Sequence, residues 1–261
     1  MKVALVGWGA IGRAVYPILN DAGIEVVAIA TKDPRSRADL PKTSAHITDP
    51  AELEQFAPDV VAEAAGRDSV EPWGMAALSL SADFVVSSVS AFADPVLLGQ
   101  MTDAAVAGNA QLHIHPGALG GIDALAAARA SGIAEVEHRI EKPPAAWADT
   151  PAESLCDLNS LAEPFEFFTA SAAETAAKFP KNANVAMTTA LASLGPEQTR
   201  ITLVADPSAA MNSHHIRASG TFGRMSLSLM NSPLPDNPKT SAMTVFNLAR
   251  SITNRTSTIA I

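Results

Sequence analysis

Cysteine is almost missing from this 261-residue chain: Cys156 is the only one. That excludes an internal disulfide, fits a reducing compartment, and leaves Cys156 as a packing residue. Charge is also sparse, at 17% of residues, and basic residues are in deficit, 18 Lys and Arg against 27 Asp and Glu. The net charge of −9 disfavours nucleic acid and anionic membrane as partners. An anionic substrate would then have to be met by a local basic or N–H-rich pocket. No apolar run approaches the ~20 residues of a membrane span. Met1-Lys2 leads straight into an apolar segment, so no targeting peptide is read there and a cytoplasmic location is expected. No internal repeat or low-complexity tract is visible. The 48% hydrophobic content excludes disorder and suffices for one large domain or two modest ones.

The richest signal is Lys2 to Gly12, KVALVGWGAIG. Val3 to Val6 read as a buried parallel strand, followed by Gly7, Gly9 and Gly12 at G-x-G-x-x-G spacing. The first glycine allows a tight turn, the second lets backbone approach a pyrophosphate, and the third lets the next helix pack on the strand. Ala10 and Ile11 fall in the first turn of that helix, whose free N–H groups and positive dipole end suit phosphate. Pro17 falls where this helix should continue, so a kink or early end is expected there.

Strand and helix then alternate. Strands are expected at Glu25–Ala30, Asp59–Ala64, Asp83–Ser88 and Gln111–Ile114. Helices are expected after Thr48-Asp49-Pro50, over Ser69–Leu80, and from Asp94-Pro95 to about Gly108. This order implies parallel β-α-β units with right-handed crossovers. Past His115-Pro116 the pattern changes. A helix at Ile122–Ala130 precedes strands at Ala134–Ile140, Arg200–Val204, His214–Ala218 and Met225–Leu229. The Pro143–Pro164 segment reads as irregular, and helices are expected over Asn184–Leu194 and about Thr240–Ile252. The fold class is therefore α/β, a Rossmann-type doubly wound parallel sheet with a second α+β domain. The expected division is residues 1–115 plus 238–261 for dinucleotide binding and 116–237 for substrate binding and oligomerisation, with the site in the cleft between them.

NAD sites place a carboxylate about 20 residues past the glycines, at the end of the second strand. Here Ala30 is followed by Thr31, Lys32 and only then Asp33, with Arg35 and Arg37 nearby. Thr31 and Lys32 would tolerate a 2′-phosphate, so the cofactor is read as NAD or NADP. Among the histidines, His46 and His138 lack a convergent partner in the sequence and read as structural. His113 and His115 alternate at a strand end without the acidic or thiol companions of a metal site, so no metal is expected. His214 and His215 are adjacent and on a strand must face opposite sides, so at most one reaches a site. A histidine exchanges a proton near pH 7 without tuning, which makes it the natural acid/base group.

Several strings together resemble the L-aspartate dehydrogenase family over nearly the whole chain. They are GWGAIG (Gly7–Gly12), HPGALGGIDAL (His115–Leu125), Lys142-Pro143-Pro144, FPKNANVA (Phe179–Ala186), Ala205-Asp206-Pro207, NSHHI (Asn212–Ile216) and NSPLPDNPKTS (Asn231–Ser241). The resemblance implies NAD(P)-dependent oxidation of L-aspartate to iminosuccinate and then oxaloacetate, reversible as reductive amination. It implies a small dicarboxylate amino acid as substrate. A homo-oligomer, with a dimer favoured, is expected because strands of the second domain and the Pro143–Pro164 segment offer edges and apolar surface to bury. The resemblance maps the catalytic histidine to His214 and the nicotinamide contacts to Ala118 and Asn184. Members of the family usually carry an acidic residue where this chain has His215. Lys142 or Lys181 is a candidate for holding a substrate carboxylate, and Asp123 reads as a helix cap. The alternatives are a dihydrodipicolinate reductase-like or homoserine dehydrogenase-like oxidoreductase, and a non-catalytic NAD(P)-binding sensor. The double histidine favours the first, but Ala218 stands where its lysine would be.

Overall fold

In the computed structural model, residues 1–235 and 237–260 are described. Asp236, inside the Asn231–Ser241 string, and Ile261, the last residue of the expected first domain, lie outside the described residues. The chain divides into two compact units, residues 1–117 with 244–261 and residues 118–243.

The first unit is built on β1 (Lys2–Val6), α1 (Ala10–Asp21), β2 (Glu25–Ala30), β3 (Ala45–Ile47), β4 (Val60–Glu63), α2 (Arg67–Ser79), β5 (Asp83–Val86), α3 (Pro95–Ala107) and β6 (Leu112–Ile114). The strands form one parallel sheet in the order β3-β2-β1-β4-β5-β6. The order reverses direction between β1 and β4, so right-handed crossovers place helices on opposite faces. Val3 to Val6 are at most 2% exposed, as the continuous apolar run requires. Caps fix the entries. Asp94 accepts from the Val96 and Leu97 N–H groups at the start of α3. Asp49 and Glu52 form a capping box, but the segment they open, Pro50–Gln55, is a 3-10 helix rather than an α-helix.

Pro17 does not end α1, which runs unbroken to Asp21. Pro17 lies on the exposed face of the helix, where water can solvate the Arg13 carbonyl that the missing N–H would have bonded. Gly23, with φ of +72°, provides a left-handed exit from the helix.

The second unit holds α4 (Ile122–Arg129), β7 (Ile133–Lys142), β8 (Phe165–Ser171), α5 (Ala172–Lys178), α6 (Ala183–Leu191), β9 (Arg200–Ala205), β10 (Asn212–Gly220), β11 (Gly223–Asn231), β12 (Pro233–Leu234) and β13 (Asn237–Ser241). The last helix, α7 (Ala242–Thr253), returns the chain to the first unit. The five-stranded sheet has the order β11-β10-β7-β9-β8 and is antiparallel except at β7–β9. One face is apolar, with Val136, Ile140, Ile201, Leu203, Ile216 and Ala218 all buried.

Three features of this unit depart from the sequence reading. β8 and α5 were not expected; Ser171 and Glu174 form the capping box that starts α5. The Pro143–Pro164 segment carries two 3-10 turns, Pro144–Trp147 and Pro151–Ser154. Asp123 is not the cap of α4: that position is Gly121, in the left-handed conformation, and Asp123 sits inside the first turn.

Replacing Pro17 by alanine restores the helical N–H on an exposed face without removing core packing. It should raise the thermal midpoint by an amount equivalent to about 1–2 kcal/mol, once the loss of proline rigidity in the unfolded chain is offset. A lower midpoint, read by calorimetry, would contradict this account of α1.

Candidate active site

In the first unit the three glycines differ in what surrounds them. A Cβ on Gly7, whose φ is +107°, would lie 2.7 Å from the Ala64 carbonyl oxygen, and one on Gly12 would lie 2.2 Å from that of Gly7. These two close the strand-turn-helix corner. A Cβ on Gly9 would meet nothing within 4 Å, so this glycine leaves open space beside the backbone. Gly9 also caps α1 with no side-chain acceptor, and Ala10, Ile11 and Gly12 follow as its first turn. The N–H groups of that turn have no acceptor inside the helix and meet a positive dipole end. The corner therefore fits the pyrophosphate of a dinucleotide.

At the tip of β2, the Thr31 hydroxyl donates to the Asp33 carbonyl at 3.0 Å and lies 2.7 Å from His46 Nε2. His46 thus has a partner that the sequence did not show. Lys32 is exposed. The Asp33 carboxylate accepts from the Arg35 N–H at 2.9 Å and from its guanidinium at 2.8–3.1 Å. The Arg35 guanidinium holds the Asp33 carboxyl below the usual carboxylate range. Its negative charge is thereby offset locally.

Further along the same sheet, His115 is buried at the end of β6. Its Nδ1 accepts from the Gly117 N–H at 3.0 Å, so the ring hydrogen is on Nε2 and is donated to Ser87 Oγ at 2.8 Å. Burial pushes its pKa down to about 3.

In the second unit, β10 pairs with β7 so that His214 lies opposite Ile140 and His138 opposite Ile216. Strand alternation then puts His214, His138 and Lys142 on one face, the latter two as diagonal neighbours of His214. His214 is 4% exposed, and its Nδ1 lies 3.1 Å from His138 Nε2. His138 Nδ1 is in turn 2.9 Å from the Thr189 hydroxyl on α6. Burial, then the positive charge of Lys142, lower the His214 pKa to about 3. This corrects the expectation of a histidine titrating near neutrality: at pH 7 the ring is uncharged. His138 is likewise held well below the ordinary histidine value by burial.

Lys142 ends β7. Its ammonium donates to Asn182 Oδ1 and sits 4.9 Å from the centre of the Trp147 ring. Trp147 is fully buried, stacks edge-on against Phe167 at 4.8 Å, and donates its indole N–H to the Val204 carbonyl at 2.8 Å. The platform under Lys142 is therefore rigid. Burial, followed by the nearby charge of Lys181, pushes the Lys142 pKa down to about 8. Lys142, rather than a histidine, is the group here that titrates near neutral pH.

The structure thus brings His214 and Lys142 together on one sheet face. Lys181 is exposed and donates to the Asp149 carbonyl at 3.3 Å. Asn184 is exposed and is the second residue of α6; the position before that helix belongs to Asn182. Ala118 is half-buried, and its carbonyl accepts from Asn231 Nδ2 at 2.9 Å. His215 faces the other side of the sheet, where its Nδ1 lies 2.9 Å from Ser228 Oγ. The residues missed in the sequence are His138, Thr189, Asn182 and Trp147. Only the lysine-proline-proline and FPKNANVA strings hinted at the last two.

Comparison with known proteins finds two family models along the chain. Residues 7–115 match the family model described as "Homoserine dehydrogenase, NAD binding domain", so the first unit carries a nicotinamide-dinucleotide domain. Residues 123–255 match "Aspartate dehydrogenase, C-terminal". The chain is 51% identical to an L-aspartate dehydrogenase of Brucella anthropi over 99% of its length and 98% of the relative's. It is 41% identical to one of Ralstonia pickettii, covering 100% of both. A crystal structure of aspartate dehydrogenase from Thermotoga maritima superposes with a TM-score of 0.81 at 25% identity, covering 100% of this chain and 99% of that one. A homoserine dehydrogenase and a dihydrodipicolinate reductase align at 13% and 18% identity, with TM-scores of 0.62 and 0.55, and share only the fold. With a glycine corner fit for a dinucleotide, a buried histidine and a half-buried lysine on one sheet face, and full-length relatives of this identity, the chain belongs to the L-aspartate dehydrogenase family.

Proposed function

We propose that this chain oxidises the amine carbon of L-aspartate with NAD or NADP, giving iminosuccinate, which water converts to oxaloacetate and ammonia, and that the same site runs the reverse amination. The observation that carries the reading is the pairing, on one sheet face, of the neutral His214 ring with the half-buried Lys142 ammonium. A nicotinamide dinucleotide, with its pyrophosphate at the glycine corner, would supply the hydride acceptor.

Lys142 is the cation for a substrate carboxylate, since Lys181 is exposed and turned to a backbone carbonyl. Asn182 and Trp147 hold its head group in one place, which limits the entropy lost on binding. His138 engages His214 Nδ1, leaving Nε2 as the nitrogen that meets the substrate amine or the attacking water. In the empty site the Lys142 charge depresses the proton affinity of His214. A carboxylate seated on Lys142 offsets that charge, so substrate binding raises the basicity of Nε2. His214 then takes the proton that leaves nitrogen as the carbon–hydrogen bond breaks, and returns it in the reverse direction.

His214→Ala should lower kcat with L-aspartate by about 10²–10⁴-fold while leaving the dissociation constant of the reduced cofactor unchanged. A variant that kept its turnover would overturn the role of His214. A wild type that bound cofactor and had no turnover with L-aspartate would favour the sensor reading.

The Lys142 value sets the sign of a pH effect. Its ammonium attracts carboxylate below about pH 8 and is lost above it, so kcat/KM for L-aspartate should fall as pH rises through that region. Lys142→Met should raise KM about tenfold or more and remove this limb relative to wild type. A kcat/KM that climbed through pH 8 in wild type and not in the variant would instead assign Lys142 as a base.

For the cofactor, Arg35 offsets the Asp33 carboxylate, and we propose that both NAD and NADP are accepted. Asp33→Ala removes the carboxylate and releases Arg35 for a 2′-phosphate. The dissociation constant of NADPH should drop about fivefold or more relative to that of NADH. An unchanged ratio, measured by cofactor fluorescence titration, would place the discrimination elsewhere.

A further inference from the structure

Glu63 is the most heavily bonded side chain of the first unit, and none of the chemistry above uses it. It is the last residue of β4 and is fully buried. Its Oε1 accepts from the N–H groups of Ala65 at 2.7 Å and Gly66 at 2.8 Å, and from the hydroxyls of Ser88 at 2.9 Å and Ser69 at 3.1 Å. Its Oε2 accepts from the N–H groups of Ser88 at 2.9 Å and Ser87 at 3.2 Å. No Lys or Arg of the described residues forms an ion pair with it. A buried carboxylate without a cation is costly unless hydrogen bonds replace the water it has lost. Here backbone and hydroxyl donors of the two loops that follow β4 and β5, with the Ser69 hydroxyl from the first turn of α2, fill that role.

The place of this cluster in the sheet gives it a consequence. Glu63 pairs with Val6, the residue before Gly7, across the point where the strand order reverses. In open α/β sheets, ligands bind beyond the carboxyl ends of the strands at that reversal. The loop after β4 also forms the wall against which Gly7 turns, since a Cβ there would meet the Ala64 carbonyl. The loop after β5 continues the network, because Ser87 Oγ receives the His115 Nε2 hydrogen and His115 in turn holds the Gly117 N–H. One carboxylate therefore ties together the chain segments that leave β4, β5 and β6 on the ligand-binding edge.

We propose that Glu63 is a positioning residue for the dinucleotide: it fixes residues 64–66 and 87–88 in the shape that receives the nicotinamide half of the cofactor. The proposal rests on the dehydrogenase reading and adds to it the residue that preforms the cofactor wall. Glutamine at this position keeps the volume but offers one oxygen where two are needed. Its NH₂ group must face N–H donors of one loop, which releases that loop.

The test is direct binding of NADH and NADPH to wild type, Glu63→Gln and Ser88→Ala, by fluorescence titration, with thermal midpoints and separate KM values for cofactor and L-aspartate. Loss of one loop's bonds should weaken reduced-cofactor binding about tenfold or more in Glu63→Gln, and about two- to fivefold in Ser88→Ala, where the carboxylate remains. KM for the cofactor should rise in step, and KM for L-aspartate should stay within twofold of wild type. A residue that only stabilised the fold would lower the midpoint and leave cofactor affinity intact, and that result in either variant overturns the proposal. If Glu63→Gln does not fold, Ser88→Ala decides: weaker cofactor binding at an unchanged midpoint supports the proposal, and unchanged binding overturns it. A wild type that bound neither dinucleotide would overturn the dehydrogenase reading and this proposal with it, an outcome distinct from the failure of the variants alone.

Discussion

Removing the His214 ring from water is the constraint on which the second unit depends. An imidazole left unbonded in an apolar face costs on the order of 1–3 kcal/mol, and a charged one costs much more. The chain meets this with His138 and Thr189, two further polar groups buried on the same side of the sheet. The resulting row of hydrogen bonds needs β7 and β10 in one register, because a one-residue slip of either strand would turn its histidine to the opposite face, away from the other. Helix α6 must also present Thr189 at that height. The mixed sheet, its inner face and the helix over it are thus specified together by one buried polar row.

A protein of net charge −9 has to attract a dicarboxylate against its own field. Long-range attraction is therefore unavailable, and a local cation has to do the work at short range. Lys142 suits that proposed role because partial burial and the aromatic platform of Trp147 hold it in place. The same burial makes the cation easier to lose, which links recognition of the substrate to pH. It also couples the two groups of the site, since burial foremost, and then the charge proposed to draw the carboxylate, lower the His214 pKa.

The first unit was legible in detail because its signals are local. The apolar run of β1, the glycine spacing and the Asp-Pro starts each act within one turn or one strand, and the elements fall within a few residues of where they were read. Pro17 misled because its cost depends on whether the freed carbonyl faces water, which only packing decides. The second unit was legible in outline. Its capping box at Ser171 and Glu174 was present in the sequence and announces α5, whereas β8, rich in phenylalanine, directly follows Pro164 at the end of a segment that reads as irregular. The partnership of His138 with His214 was not legible: it spans 76 residues and exists only through the antiparallel pairing of β7 with β10. The same holds for Glu63, whose donors come from the ends of two different strands. His214 itself was reached through the N-x-H-x-I string, but its neutral state follows from burial, which no local pattern reveals.

The central claim is that this site oxidises L-aspartate, and the most direct measurement is reduction of NAD and NADP followed at the nicotinamide absorbance. L-aspartate would be compared with D-aspartate, L-glutamate and L-homoserine. Turnover with L-aspartate, and none comparable with the other three, is the expected result. Turnover with L-homoserine in its place, or no turnover with L-aspartate and none with oxaloacetate, ammonia and reduced cofactor, would contradict it.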